Sequence, residues 1–68
     1  MARYWVRDDQ TGEQFGPYDD DEDMAMAKAE SVARDTRHDT SVWTGKSKPE
    51  RPTGYYAEPL RAKGFSDR

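Results

Sequence analysis

The chain has 68 residues, a net charge of −3 at pH 7 and a mean hydropathy of −1.30, and hydrophobic residues make up 32% of it. That length and composition allow one domain with a small core, so we expect part of its stability to come from a partner or from a homodimer. The absence of cysteine excludes disulfides and thiolate metal sites, and without a long apolar segment we expect no signal peptide, no membrane contact and a cytoplasmic, intracellular location.

Charge is divided unevenly along the chain. Residues 1–30 contain nine acidic and three basic residues, whereas residues 31–68 contain five acidic and eight basic ones. The two halves can therefore attract partners of opposite charge, or they can pair with each other.

The first part of the chain predicts a β-hairpin. Residues 3–7 are rich in aromatic and β-branched side chains and precede the turn-forming segment 8–12, which indicates a strand and a tight reversal. Gly12 is expected to take the left-handed backbone conformation in that turn. Residues 13–15 then return as a second strand, and the Gly-Pro pair at 16–17 is expected to end it.

A helix is predicted after an uninterrupted acidic run. Carboxylates at the start of a helix satisfy free backbone N–H groups and complement the helix dipole, so Asp19 or Asp20 is expected to be the N-cap. Residues 24–36 are rich in alanine, and their apolar side chains recur every three or four positions, which is typical of a helix that packs closely on a sheet. The acidic run consists of Asp19, Asp20, Asp21, Glu22 and Asp23.

Strand signals return after the helix. Residues 40–44 predict a third strand, residues 46–53 a basic, proline-containing surface loop, and residues 54–57 a short optional fourth strand. The chain is therefore predicted to fold as a single α+β domain over residues 1–59, with a small antiparallel sheet in ββαβ order and one helix on one face. Residues 60–68 are predicted to be a flexible tail.

A single helix leaves one face of such a sheet uncovered. If Val6 and Val42 lie under the helix, strand alternation places both tryptophans on the open face, flanked by arginines. Exposed tryptophan beside arginine would bind a protein partner or stack the bases of single-stranded nucleic acid. Two alternatives are that the strand parity is reversed or that the tail covers both indoles. The predicted partner-binding residues are Trp5, Trp43, Arg3 and Arg7.

The acidic run at residues 19–23 has functional interpretations beside its capping role. Its charges resemble a row of phosphates and would fit a partner's nucleic-acid site, or they would hold a cation. A metal is not expected, because the spacing lacks the glycine and the following glutamate of a calcium loop. A helix cap and a solvated first turn explain the same residues.

The sequence predicts a protein that is not an enzyme and that has no cofactor. His38 is the only histidine, so a zinc triad or a histidine-paired nucleophile cannot be assembled, and its position after the helix indicates a turn. Carboxylates are abundant, but a chain this short has little room for a pocket that excludes water. The pattern Lys46-x-x-Pro49-x-x-Pro52 fits a polyproline ligand, although basic loops with prolines match it frequently by chance.

Several residues of the first half form a recognisable set: Tyr4-Trp5-Val6, Gly12, Phe15-Gly16-Pro17-Tyr18 and Met24 at the helix start. Their order resembles the first half of a GYF-type adaptor domain, particularly its bacterial form. The resemblance covers residues 1–26, and the later signature of that family, a tryptophan in the helix and a glycine-tyrosine-phenylalanine turn, is absent. GYF domains bind proline-rich peptides on an aromatic surface, so the resemblance implies such a surface at Tyr4, Trp5, Phe15 and Tyr18.

The size and acidity of the chain also resemble those of small accessory proteins of bacteriophages, many of which bind and inhibit one host protein. The first functional prediction is a small protein-interaction module that uses the open face. The alternative is related to nucleic acid: the aromatic and basic surface binds a single strand, or the acidic run mimics nucleic acid.

Overall fold

Four strands and one helix form the part of the chain that the computed structural model describes, residues 2–59. The elements are β1 (Arg3–Asp8), β2 (Gln14–Asp19), α1 (Glu22–Thr36), β3 (Thr40–Gly45) and β4 (Arg51–Ala57). The strands are antiparallel and lie in the order β2-β1-β3-β4, with α1 packed against the sheet. This confirms the predicted α+β class and the fourth strand. The tail predicted at residues 60–68 lies outside the described residues.

A tight turn joins β1 to β2, as predicted. Gly12 has a φ of 84°, in the left-handed region, and its N–H donates to the Asp8 carbonyl over 2.7 Å. The Asp8 carboxylate accepts from the N–H groups of Gln10 and Thr11 at 2.9 and 3.2 Å. The last residue of β1 therefore supplies both main-chain and side-chain acceptors for the turn.

β2 is longer than the sequence predicts. Gly16 and Pro17 do not end the strand. The register of the β1–β2 pair shifts between Tyr4 and Val6, so that Gly16 and Pro17 together oppose the single residue Trp5 in a bulge. Because β2 is an edge strand, it tolerates a proline that donates no hydrogen bond. Gly16 has a φ of 122°, and a Cβ atom there would lie 2.9 Å from the carbonyl oxygen of Tyr4, so the bulge requires glycine.

The helix begins after Asp21, and the predicted N-cap at Asp19 or Asp20 is wrong. The Asp21 carboxylate accepts from the N–H of Met24 at 3.0 Å, which is the N-cap contact. Asp19 still belongs to β2, and Asp20 forms the connection with a φ of 53°. Arg37 ends α1 in the left-handed conformation. No helix within residues 2–59 is long and apolar enough to cross a membrane.

The core lies between α1 and the sheet. Small alanine side chains on one face of α1 let the helix approach the central strands, and the Thr40 hydroxyl donates to the Ala29 carbonyl over 2.8 Å in a buried contact. Larger aromatic side chains pack around the margin of this core. Its fully buried members are Val6, Val42, Ala25, Ala29, Ala33 and Ala57.

β4 begins at Arg51, inside the segment predicted to be a loop. The register of the β3–β4 pair shifts between Ser41 and Trp43, because β4 has two more residues than β3 in that interval. Gly54, with a φ of 100°, lies in this irregular part. β4 is the other edge strand, so it also accommodates a proline, Pro52, which composition alone assigned to a loop.

Candidate interaction face

We call the sheet face opposite α1 the open face. Val6 and Val42 are fully buried in the core beneath α1, so strand alternation directs Trp5 and Trp43 to the other side. Of the two strand parities that the sequence left open, this is the one that the predicted binding face requires. Directly paired residues of neighbouring strands share a face, and this rule extends the assignment to β4. The open face carries Arg3, Trp5 and Arg7 from β1, Ser41 and Trp43 from β3, and Pro52 and Tyr56 from β4.

Trp5 is buried although it lies on the open face. Only 7% of it is exposed. Trp43 is its cross-strand partner in β3, and the backbone of Gly16 lies so close that a Cβ atom there would be 3.2 Å from the Trp5 Cδ1 atom. The expectation of two exposed tryptophans is therefore wrong for Trp5, because the glycine bulge of the edge strand brings main chain against the indole.

Trp43 is only partly buried, and its indole has two contacts on the open face, one of which is itself fixed by a further hydrogen bond. Its Nε1–H donates to the Ser41 hydroxyl over 2.9 Å, and that hydroxyl donates to the Asp9 carboxylate over 2.8 Å. The guanidinium carbon of Arg7 lies 5.7 Å from the centroid of the ring, within the range of a cation–π interaction. The orientation of Trp43 is therefore set by neighbours on the same face.

The two arginines of the open face differ in their partners. Arg3 forms an ion pair with Asp19, with 3.1 Å between Nε and Oδ1. Both side chains are exposed, so this pair contributes little to stability. Within residues 2–59, Arg7 forms no ion pair, and its described contact is with the ring of Trp43.

Tyr56 extends the exposed part of the open face into β4. It is 42% exposed and lies opposite Ser41, which in turn pairs with Arg7. Sequence reasoning missed Tyr56 and Pro52, although the two adjacent tyrosines at 55 and 56 are a signal for a strand with aromatics on both faces. We call the accessible residues at and around the Trp43 indole the Trp43 cluster, which leaves out Arg3 because it is paired with Asp19: Arg7, Trp43, Pro52 and Tyr56.

Basic residues gather at the end of the sheet where β3 passes into β4. Lys46 lines two neighbouring depressions, one shared with Arg3 and Asp19 and the other with Glu50 and Arg51. The polyproline pattern predicted from Lys46 onward is divided between the loop and β4, since its last proline pairs with a strand.

Most of the acidic run has structural partners. Asp19 pairs with Arg3, Asp20 accepts from the N–H of Ala2 at 2.8 Å, and Asp21 caps α1. Three of the five carboxylates therefore hold the connection between β2 and α1 together. Among residues 2–59, no group of three or more histidine, cysteine, aspartate or glutamate side chains is placed to hold a metal ion.

The aromatic residues marked by the GYF resemblance lie on two different faces. Tyr4, Phe15 and Tyr18 pack against the core on the side of α1, and Lys28 of α1 lies 5.0 Å from the centroid of the Phe15 ring. Trp5 lies on the opposite face. The four side chains therefore do not form one continuous surface.

Polar contacts on the side of α1 involve two ionisable groups with shifted pKa values. Asp8 is 2% exposed, and its Oδ2 lies 2.9 Å from the Nδ1 of His38. Burial opposes ionisation of this carboxyl, but hydrogen bonds from His38 and from the turn N–H groups outweigh it and lower the pKa of Asp8. The Tyr55 hydroxyl donates to Glu30 over 2.5 Å, and burial together with that carboxylate raises the pKa of Tyr55. These contacts connect the helix and its exit to the sheet.

Comparison of the chain with protein-family models, with curated proteins and with solved structures gave no match.

Proposed function

We propose that the chain is a small intracellular protein-interaction module without enzymatic activity, and that it binds its partner through the Trp43 cluster. The single observation that supports this best is a partly exposed tryptophan with an arginine within cation–π range of its ring, on a sheet face that α1 does not cover. Tryptophan, tyrosine and arginine are the residues that contribute most to binding energy at protein interfaces. A protein of this kind would act as an accessory or inhibitor protein by occupying a surface of its target.

The edges of the sheet are poorly suited to binding, which favours the face. β2 and β4 each contain a proline and an irregular register, and both features hinder the addition of another strand. A partner is therefore more easily accommodated across the open face than along either edge. The buried indole of Trp5 would support this contact from the neighbouring strand, beside Trp43, without meeting the partner directly.

The test is a selection from a displayed random peptide library against the immobilised chain. Wild type should enrich a set of related peptides, and Trp43→Leu or Tyr56→Ser should lose most of their binding, because either change removes an aromatic contact from the Trp43 cluster. Met24→Ala is the matched control, since Met24 is a 52% exposed apolar residue at the start of α1. Binding that is reduced equally by Met24→Ala, or by none of the three changes, would contradict the proposal.

Single-stranded nucleic acid is the second candidate ligand. It is favoured by the aromatic side chains on the two central strands together with the basic residues around Lys46 at one end of the sheet. Fluorescence anisotropy with a labelled oligothymidine tests it directly. A combined Lys46→Gln, Lys48→Gln, Arg51→Gln variant should then bind more weakly and with a smaller salt dependence, whereas a protein-binding surface centred on Trp43 should be little affected.

A further inference from the structure

We infer that Arg7 is the specificity-determining residue of the Trp43 cluster, and that the preferred partner presents an acidic, extended peptide segment whose carboxylate pairs with it. This inference rests on the proposed function and adds the chemistry of the partner. It follows from the difference between the two arginines of the open face, only one of which already has a carboxylate partner.

Arg7 is held in position but forms no ion pair within residues 2–59. Its guanidinium carbon lies 5.7 Å from the centroid of the Trp43 ring, within cation–π range, which restricts the side chain, and the indole is itself fixed by the hydrogen bond to Ser41 at 2.9 Å. The side chain is exposed, and no carboxylate within residues 2–59 pairs with it. A guanidinium in this state can donate a planar pair of hydrogen bonds to a carboxylate with little further loss of side-chain entropy.

The aromatic side chains near Arg7 would bind an apolar residue next to the acidic residue of the peptide. In the cross-strand row Arg7–Ser41–Tyr56, the exposed tyrosine ring lies two strands away from the arginine. Adjacent strands are about 5 Å apart, so one short extended segment would reach both side chains. An acidic residue would face Arg7 while an apolar neighbour would contact Trp43 and Tyr56.

An acidic peptide fits this face better than a nucleic-acid strand does. A phosphate backbone binds through contacts between several of its phosphates and basic side chains, but Arg3 on the same face is already paired with Asp19, and Arg7 is the one other arginine that the open face offers within residues 2–59. Stacking also needs accessible rings, and Trp5 is 7% exposed. A peptide requires only one charge contact and one apolar contact, which are the features that the Trp43 cluster offers.

The test uses the random peptide library and then a synthetic peptide of the enriched consensus. We expect the consensus to contain an acidic residue next to an aromatic or aliphatic one. Replacing its aspartate or glutamate by the corresponding amide should weaken binding about tenfold, and Arg7→Gln should weaken binding of the acidic peptide by a similar factor. Arg7→Gln should not weaken the amide peptide further, since the two changes remove the same contact.

The matched control is Lys28→Gln. It removes the other cation–π contact of the described chain, that of Lys28 on Phe15, which lies on the side of α1. Affinity for the acidic peptide should stay unchanged in Lys28→Gln. Circular dichroism should show the wild-type fold in both Arg7→Gln and Lys28→Gln.

The remaining outcomes would overturn the inference in distinguishable ways. Enriched peptides that lack acidic residues and that depend on Trp43 but not on Arg7 would refute the role of Arg7 and leave the proposed function intact. Oligothymidine binding lost in Arg7→Gln would replace the peptide by nucleic acid. Concentration-dependent self-association lost in the same variant would make a second copy of the chain the occupant. A library that yields no peptide dependent on Trp43 would contradict the proposed function as well.

Discussion

The two faces of the sheet are built in opposite ways. On the side of α1, small residues fill a completely buried core, and every alanine of that cluster is 0% exposed. On the open face, the large aromatic residues Trp5, Trp43 and Tyr56 share a surface that α1 does not cover. Burial of apolar area stabilises roughly in proportion to that area, so the side of α1 alone provides a modest core for a chain of this length.

The aromatic residues of the open face also differ among themselves in burial. Trp5 is buried against the bulge of β2 and serves as a second, smaller core, whereas Trp43 and Tyr56 remain available to solvent. The open face therefore has a stabilising half next to β2 and an accessible half next to β4. Substitutions in the two halves and on the side of α1 should therefore differ in their effects on stability and on tryptophan exposure.

Trp5→Ala is expected to have the largest effect. Removing a buried tryptophan costs about 3–5 kcal/mol. A chain of this size has a free energy of unfolding of roughly 3–10 kcal/mol in total. The Trp5→Ala variant should therefore be largely or completely unfolded. Trp43→Ala should lower the free energy of unfolding by less than half as much, because the Trp43 ring is partly exposed. Urea denaturation followed by circular dichroism measures both, and equal losses would show that the two halves of the open face do not differ.

Asp8→Asn tests the side of α1 with a smaller effect that depends on pH. We expect it to lower the free energy of unfolding at neutral pH by about 1–3 kcal/mol, because a buried carboxylate that accepts from His38 and the turn is removed. The pKa of Asp8 is lowered from 3.8, so its contribution is present above that value and is lost as the pH falls through the pKa of the folded state.

The stability difference between wild type and Asp8→Asn should therefore narrow below about pH 4. Asp39→Asn is the control, because Asp39 is exposed and its described hydrogen bond is made by its backbone carbonyl. Urea denaturation over a pH series gives the measurement. A difference that stays constant down to acidic pH would mean that the Asp8 carboxylate contributes through shape rather than through its charge.

Local chemistry predicted the parts of the fold that depend on neighbouring residues. The turn at Gly12 and the acidic start of α1 follow from preferences that act over a few positions, whereas the buried face of β1 was left open by the sequence and is set by packing against α1. The N-cap was placed too early because Asp19, Asp20 and Asp21 are chemically equivalent in sequence. Only the pairing of Asp19 with Arg3 across the sheet shows which of them remains in a strand.

The parts that were not predicted depend on contacts between distant residues. Gly16 and Pro17 indicate the end of a strand in isolation, yet they form a bulge because β2 is an edge strand paired with β1. The start of β4 and the position of Tyr56 likewise depend on the irregular register with β3. The burial of Trp5 could not be inferred either, since it results from the approach of the Gly16 backbone.

Tryptophan-to-phenylalanine substitutions should disturb the fold least. The fluorescence of the remaining tryptophan then measures directly how Trp5 and Trp43 differ in burial. Trp5→Phe leaves Trp43 as the emitter and should give red-shifted emission that acrylamide quenches readily. Trp43→Phe leaves Trp5, which is 7% exposed, and should give blue-shifted emission protected from acrylamide. Arg7→Gln combined with Trp5→Phe should increase quenching further, because the guanidinium no longer covers the Trp43 ring. Protection of both indoles at high protein concentration, lost on dilution, would mean that the accessible half of the open face is buried in a dimer.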